Sequence, residues 1–257
     1  MDWAFDVKKV TEDLILWTRG WFADNGKGCT AVIGISGGKD STVAAAICVK
    51  ALGKDRVIGV LMPNGVQKDL SDSQKVVDHL GIRSVTCNIS SAVNAVTDSI
   101  HASGLVSISE QSLVNLPPRI RMVTLYAVSQ SVNGRVINTC NLSENICGFS
   151  TLYGDHAGDV SVFDRLTVTE IRAIGHYLGL PSDLVDKIPS DGLTGKSDED
   201  VYGFSYDELD RYIRTEKCEN PTVKEKIQRR YQNGKFKLDL INFPHYDPAL
   251  TICPQFA

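Results

Sequence analysis

The chain has 257 residues, 42% hydrophobic and 23% charged, enough apolar material for one large α/β domain or one domain with a small appendage. A formal net charge of -4 and a pI near 5.7 count against a dedicated nucleic-acid binder, and no apolar run of about eighteen residues offers a membrane span. The opening "MDWAFDVKKV" is no secretion signal, and seven cysteines without a C-x-x-C pair suit a reducing cytoplasm better than a disulfide framework or a zinc site.

In chain order, "FDVKKVTEDLILWTRGWF" spaces Val7, Val10, Leu14 and Trp17 at three and four, which predicts an amphipathic helix ending near Gly26. "TAVIGI" is a continuous apolar run, short enough for a strand buried on both faces. "STVAAAICVKAL" predicts a helix stopping at Gly53, and "RVIGVLM" a second strand. "SDSQKVVDHLG" reads as a helix with a Ser71/Gln74 capping box and a terminal Gly81. "RSVTCNI" predicts a third strand, "PPRIRMVTLYAVSQSVNG" a helix with Pro near its start, and "RVINTC" a fourth strand. Strand and helix alternating in this way predict an α/β fold, a doubly wound parallel sheet with helices on both faces. Ligands of such sheets sit at the carboxyl ends of the strands, where residues 34–41, 63–65 and 139–144 fall.

Beyond about residue 150 the pattern changes. "STLYGDHAGD" is a polar loop, and "TVTEIRAIGHYLGLP" a helix with a Thr167/Glu170 box. "IPSDGLTGKSDEDVYG" has little apolar content and reads as a long surface loop of the kind that serves as a lid. A C-terminal helical part follows: "SYDELDRYI" with a Ser205/Glu208 box, then "NPTVKEKIQRRYQNG" with an Asn220 cap, Pro221 first and a Gly234 stop.

The stretch "GISGGKDS", residues 34–41, carries the most chemistry. Gly37 and Gly38 let successive N–H groups converge on an anion, and the helix that follows adds its positive end. In a Walker loop the lysine is followed at once by a hydroxyl, but here Asp40 separates Lys39 from Ser41. A carboxylate beside a polyphosphate would repel it unless a metal ion stood between them. Ser36 and Ser41 can therefore donate to phosphate oxygens while Asp40 holds Mg²⁺.

This loop resembles the signature of the PP-loop ATP pyrophosphatases, which cleave ATP between the α and β phosphates and have an adenine nucleotide alpha-hydrolase-like fold. Further motifs resemble those of the NAD synthetases within that family. "NLPPRIRM" is similar to their N-x-x-x-R-x-R-M, "NTCNLSE" to their G-T-x-x-x-x-E, and "GFSTLYGDHAGD" to their G-F-x-T-K-Y-G-D-x-x-x-D. "PSDGL", "SDED" and "GFSYDELD" resemble the segments of their mobile loop, and the matches run in order from about residue 30 to 237.

The resemblance implies one domain over 1–257, with an ATP-binding core at about 28–180, a mobile loop at about 189–203 and C-terminal helices at about 205–237. It implies that ATP, the co-substrate, meets Gly34, Ile35, Ser36, Gly37, Gly38, Lys39, Asp40, Ser41, Thr139 and Ser190. It places Mg²⁺ on Asp40 and Glu144, deamido-NAD on Arg119, Asp159 and Lys237, and Asp155 beside the ammonia. Asp40 and Asp155 become the catalytic pair. Of Arg119 and Arg121, two apart on one helix, the motif selects Arg119; in the C-terminal basic run it selects Lys237 and leaves most of the others as a solvated helix face.

The implied reaction is ATP-dependent amidation of deamido-NAD by ammonia through an adenylate, releasing AMP and pyrophosphate, in a cytoplasmic homodimer. The chain has no room for an amidotransferase domain, so free ammonia or a separate glutaminase would supply nitrogen; nucleic acid and membrane are not expected partners. The sequence departs from the pattern at Leu152 and Val168, where the family has lysines, and at Phe236, where it has histidine. Arg172 or Arg165 is the expected substitute for a missing cation. A tRNA-modifying PP-loop enzyme and a nucleotide-binding regulator without catalysis are the alternatives, the latter favoured by the missing lysines.

Overall fold

The structure, a computed structural model, describes residues 1–67, 70–104, 106–187, 197–240 and 244–256. Its first half runs α1 (Val7–Asn25), β1 (Thr30–Gly34), α2 (Lys39–Leu52), β2 (Val57–Leu61), α3 (Leu70–Leu80), β3 (Arg83–Thr86), α4 (Ser90–Ala102), α5 (Glu110–Ser131) and β4 (Gly134–Asn138). Then come α6 (Leu142–Cys147), β5 (Val160–Ser161), α7 (Val168–Tyr177), α8 (Ser182–Val185), α9 (Asp198–Tyr202), α10 (Tyr206–Thr215) and α11 (Pro221–Leu240).

The five strands pair in parallel in the order β3-β2-β1-β4-β5. Because side chains alternate along a strand, β1 serves two cores. Ala31 and Ile33 pack with Leu14 and Phe22 of α1 and Val43 and Ile47 of α2. Val32 faces the other way, with Val136 of β4 against Met122 and Leu125 of α5. Burial on both faces is why "TAVIG" shows no polar alternation. A third cluster, with Ile146, Val168, Tyr206, Leu209 and Ile227, seats the C-terminal helices on α6 and α7. Arg214 of α10 and Glu170 of α7 pair there at 2.7 Å, and Trp3 Nε1 donates to the same carboxylate at 2.9 Å, fastening the N-terminus to that junction.

Four local expectations are corrected. α3 begins at Leu70, so Ser71 lies within its first turn, and Gln74 donates to Asp78 at 2.9 Å instead of closing a box. α5 begins well before its prolines, capped by Ser109, so Pro117 and Pro118 are interior. They deprive the carbonyls of Leu113 and Val114 of helical donors, and both residues are exposed to water that can serve instead. Ser197 opens a short helix, α9, inside the expected surface loop; residues 188–196 of that loop, with Ser190, lie outside the described residues. α11 runs through Gly234 without stopping. A Cβ on Gly234 would lie 2.6 Å from the Gly148 Cα, so this glycine is where α11 crosses the end of α6. The Ser205/Glu208 box and the Asn220 cap form as expected, but at Thr167/Glu170 only half the box does: the Thr167 N–H donates to Glu170 Oε2 at 2.8 Å, while the buried Thr167 hydroxyl makes no hydrogen bond among the described residues.

Candidate active site

The chain leaves β1 for β2 on one side, while β4 hands on to β5 on the other. Successive loops therefore part between β1 and β4, and the crevice left at their carboxyl ends is the natural ligand site of such a sheet. A cavity of about 890 Å³ opens there, with Ser36, Gly38, Asp40, Thr139 and Glu144 on its wall.

The glycine loop is shaped by sterics. Gly37 has φ +78°, and a Cβ there would stand 2.8 Å from both the Asp72 Cβ and the Ser73 nitrogen. It is the turn that lets the loop pass under α3, and it does not itself line the cavity. The hydroxyls of Ser36 and Ser41 lie 3.1 Å apart, and each accepts a loop N–H: Ser36 Oγ from Gly38 and Ser41 Oγ from Ser36, both at 3.2 Å. Gly38 precedes α2 and offers no side-chain cap, so the first N–H groups of the helix are left for an oxyanion.

Two carboxylates face this end, and Asn141 joins them. Its amide donates to Asp40 Oδ1 at 3.2 Å, while its Oδ1 accepts the Glu144 N–H at 3.0 Å within the cap of α6. Asn141 is fully buried, and nothing but the N-x-x-E capping spacing in "NTCNLSE" announces it. Burial, with the Asp40 charge second, pushes the Glu144 carboxyl up to about 8 against the opposing Lys39. Burial opposes charge on Lys39 as well, yet Asp40 and Glu144 hold its pKa above the ordinary lysine value. Two carboxylates so placed form a donor set that fits a hard cation. Among the described residues no three His, Cys, Asp or Glu side chains gather as a metal cage. A pair of carboxylates is a set that Mg²⁺ uses, its shell completed by water and phosphate oxygens.

The wall also carries cations. Arg119 Nε donates to the Leu152 carbonyl at 3.2 Å and Arg121 Nε to the Met62 carbonyl at 3.1 Å. Both line the cavity, and Arg121 is the more buried, so it is no surface arginine. Lys237 Nζ spans the carbonyls of Gly148 and Ser150, at 2.7 Å each. Burial lowers its pKa, with Asp155 pulling the other way. The Asp155 carboxylate faces the open cavity and accepts the Thr151 N–H at 2.9 Å. The protein packed around it raises its pKa, an effect that the Thr151 donor reduces.

Other expected residues lie elsewhere. Asp159 does not line the cavity; its Oδ2 accepts the Val136 N–H at 2.7 Å and its Oδ1 lies 3.4 Å from the Tyr126 hydroxyl. Arg165 turns to His245, at 3.3 Å; Arg172 does not line the cavity either, but it stands close enough behind the loop for its charge to act on Lys39. Val168 is fully buried in the C-terminal core. One cation assigned to the solvated helix face is on the wall: Arg230, stacked 4.7 Å above the Tyr202 ring.

A doubly wound parallel sheet with this loop at its switch point defines the class: a nucleotide-binding enzyme of the PP-loop type. A family model described as NAD synthase matches residues 10–240. An NH(3)-dependent NAD(+) synthetase of Pyrococcus furiosus is 40% identical over 183 residues, 71% of this chain and 70% of its own. Among solved structures, an NMN synthetase from Francisella tularensis superposes with TM-score 0.85 at 30% identity, over 95% of this chain and all of that one (100%). An NH3-dependent NAD synthetase from Campylobacter jejuni gives TM-score 0.74 at 28% identity, over 93% and 99% of the two chains. The chain belongs to the NAD synthase family. It is an enzyme, an ammonia-dependent ligase of NAD biosynthesis, which removes the tRNA-modifying and non-catalytic alternatives.

Proposed function

We propose that the site amidates the nicotinate carboxylate of deamido-NAD in two steps at one cavity. The observation that carries this is one cavity whose wall holds an anion loop, a carboxylate pair, Asp155 and three cations, Arg119, Arg121 and Lys237. In the first step a carboxylate oxygen attacks the α-phosphorus of ATP, and the bond to pyrophosphate breaks. The loop N–H groups, Ser36 and Ser41 hold the polyphosphate, with Thr139 on the facing loop and Ser190 as a further contact. Asp40 and Glu144 would hold Mg²⁺, which supplies charge neutralisation at the departing pyrophosphate. Arg119, Arg121 and Lys237 orient the dinucleotide, and Asp159 fixes its site from the neighbouring strand end. In the second step ammonia attacks the acyl carbon, AMP leaves, and Asp155 takes the proton.

A second reading rests on one observation, the TM-score of 0.85 to an NMN synthetase. The acid would then be nicotinate mononucleotide, which carries the same reacting carboxylate without the AMP half. One experiment tests both: purified protein with Mg-ATP and ammonium, given either acid, with AMP and amide followed together. Ammonium-dependent AMP and NAD, abolished in Asp40→Ala, are expected with deamido-NAD. Turnover much faster on the mononucleotide selects the second reading, and ATP binding without either product overturns both.

The enzyme acts as a homodimer on this reading. Every residue of β3 is exposed and α4 buries none of its own, while Val85, Val96, Leu113 and Val123 present apolar surface nearby. Sedimentation equilibrium tests this, with a monomer as the contrary result. Free ammonia or a separate glutaminase supplies the nitrogen. We assign the enzyme to the cytoplasm; among the described residues no helix is long and apolar enough to cross a membrane.

A further inference from the structure

Lys39 occupies the position that the S-G-G-x-D-S pattern leaves open, so the phosphate loop of this chain carries a cation of its own. Its side chain is only 2% exposed, with Nζ 2.8 Å from Asp40 Oδ2 and 5.6 Å from the centre of the Tyr206 ring. The Tyr206 hydroxyl in turn donates to Asp198 at 2.9 Å, and Asp198 and Glu144 both line the same cavity.

Both oxygens of Asp40 are thus engaged, Oδ1 by the Asn141 amide and Oδ2 by the Lys39 ammonium. Each oxygen keeps a second lone pair, but a divalent cation that uses it must sit beside the group already there, and the fixed positive charge on Oδ2 opposes it. Asn141 is fully buried and fixed by its cap to Glu144, so moving it would open the first turn of α6. Lys39 has a long stem, and its ammonium repels an incoming cation directly. Lys39 is the group that yields.

We propose that Lys39 is an internal counter-ion, standing on Asp40 in the metal-free protein and displaced from it when the divalent cation binds. The proposal rests on the reading that Asp40 and Glu144 hold the metal. A displaced ammonium in so buried a place needs another anion. The polyphosphate entering the same loop provides one. Metal binding is therefore weak in the nucleotide-free enzyme and strong once nucleotide is present. Lys39 acts here as a positioning residue for the metal, distinct from the lysines missing at 152 and 168.

The test uses the full chain and Mn²⁺ as an EPR-visible probe, with and without a non-hydrolysable ATP analogue. Removing a unit charge about 4 Å from the metal should tighten nucleotide-free Mn²⁺ binding about tenfold or more. Lys39→Met and Lys39→Gln should both show this and lose most of the nucleotide dependence, while Lys39→Arg stays near wild type. Unchanged or weaker nucleotide-free binding in the neutral variants overturns the proposal. If Asp40→Asn binds Mn²⁺ like wild type, the metal assignment itself fails, whatever Lys39 does. A measurement on the unmutated protein guards against variants that do not fold. The ¹⁵N-labelled Lys39 ammonium should lose its slow-exchanging, ion-paired NMR signal when Mg²⁺ and the analogue are added. A signal that persists unchanged overturns the proposal too.

Discussion

Gly148 and Gly234 meet backbone to backbone: a Cβ on either would lie 2.6–2.7 Å from the other's Cα. Gly148 ends α6 with φ +61°, and Gly234 lies in α11 three residues before Lys237. Their contact brings the Lys237 ammonium to the carbonyls of Gly148 and Ser150. Gly234→Ala gains about 1 kcal/mol of helix propensity. A methyl group against backbone at that distance must push the helices apart, and overpacking of this kind costs about 1–3 kcal/mol. The variant should melt at lower temperature and bind the acid substrate more weakly, because Lys237 moves with α11. An unchanged melting temperature would show that the crossing is slack.

Asp210 fastens three elements at once. Its carboxylate accepts the Ser143 hydroxyl at 2.5 Å and the Thr169 N–H and hydroxyl at 2.8 and 2.6 Å, tying α10 to α6 and α7 beside Glu144. Burial raises its pKa from 3.8 to about 6 despite those donors. A carboxyl whose pKa is raised in the folded state favours folding most at low pH, where it is protonated in both states. That contribution, about 3 kcal/mol for about two pH units, is lost as pH rises from about 4 through 6. Asp210→Asn does not titrate. Denaturant unfolding across this window should show the stability gap between wild type and variant moving in the variant's favour as pH increases. A constant gap would mean that Asp210 titrates normally.

The parallel sheet was legible because period and composition act locally: "TAVIG" and "RVIGVLM" are short apolar runs rich in β-branched residues, and the glycine loop falls between strand and helix. The Ser205/Glu208 box was legible for the same reason. Gly234 was misread as a stop because its role is a contact with Gly148, far off in sequence and invisible to any local rule. Arg121 and Arg230 were passed over because helical spacing alone cannot tell a solvent face from a cavity wall. Lys39 was readable as a loop residue, but its pairing with Asp40 under Tyr206 depends on α10, which packs there only in the folded chain.

Arg121 should matter to substrate binding at least as much as Arg119. Its guanidinium is held by the Met62 carbonyl and sits deeper in the cavity wall. Burial lowers its pKa, with the Asp155 charge opposing, so an anionic substrate that enters relieves a desolvated cation. A charge-assisted hydrogen bond is worth about 1.5–3 kcal/mol, so Arg121→Ala should raise KM for the acid substrate by about 10–100-fold. The KM for ATP should hardly move. A larger effect from Arg119→Ala would restore the reading that the motif alone suggested.

Asp155→Asn separates proton transfer from binding. Asn keeps an oxygen for the Thr151 N–H that now reaches Asp155 at 2.9 Å, so the loop should stay folded and ATP affinity unchanged. It cannot accept a proton from ammonium or from the attacking nitrogen. Loss of a positioned general base typically costs about 10²–10⁴ in rate, and kcat should fall within that range. The base works only when ionised, and its pKa lies above the ordinary aspartate value because the protein packs around it. The wild-type rate should therefore climb as pH rises through that raised pKa. Plotting it against free ammonia rather than total ammonium removes the contribution of ammonia's own ionisation. A rise remaining in the wild type and absent in Asp155→Asn assigns the base. Identical profiles, with kcat scaled equally at every pH, would reduce Asp155 to a binding contact and leave ammonia to arrive already deprotonated.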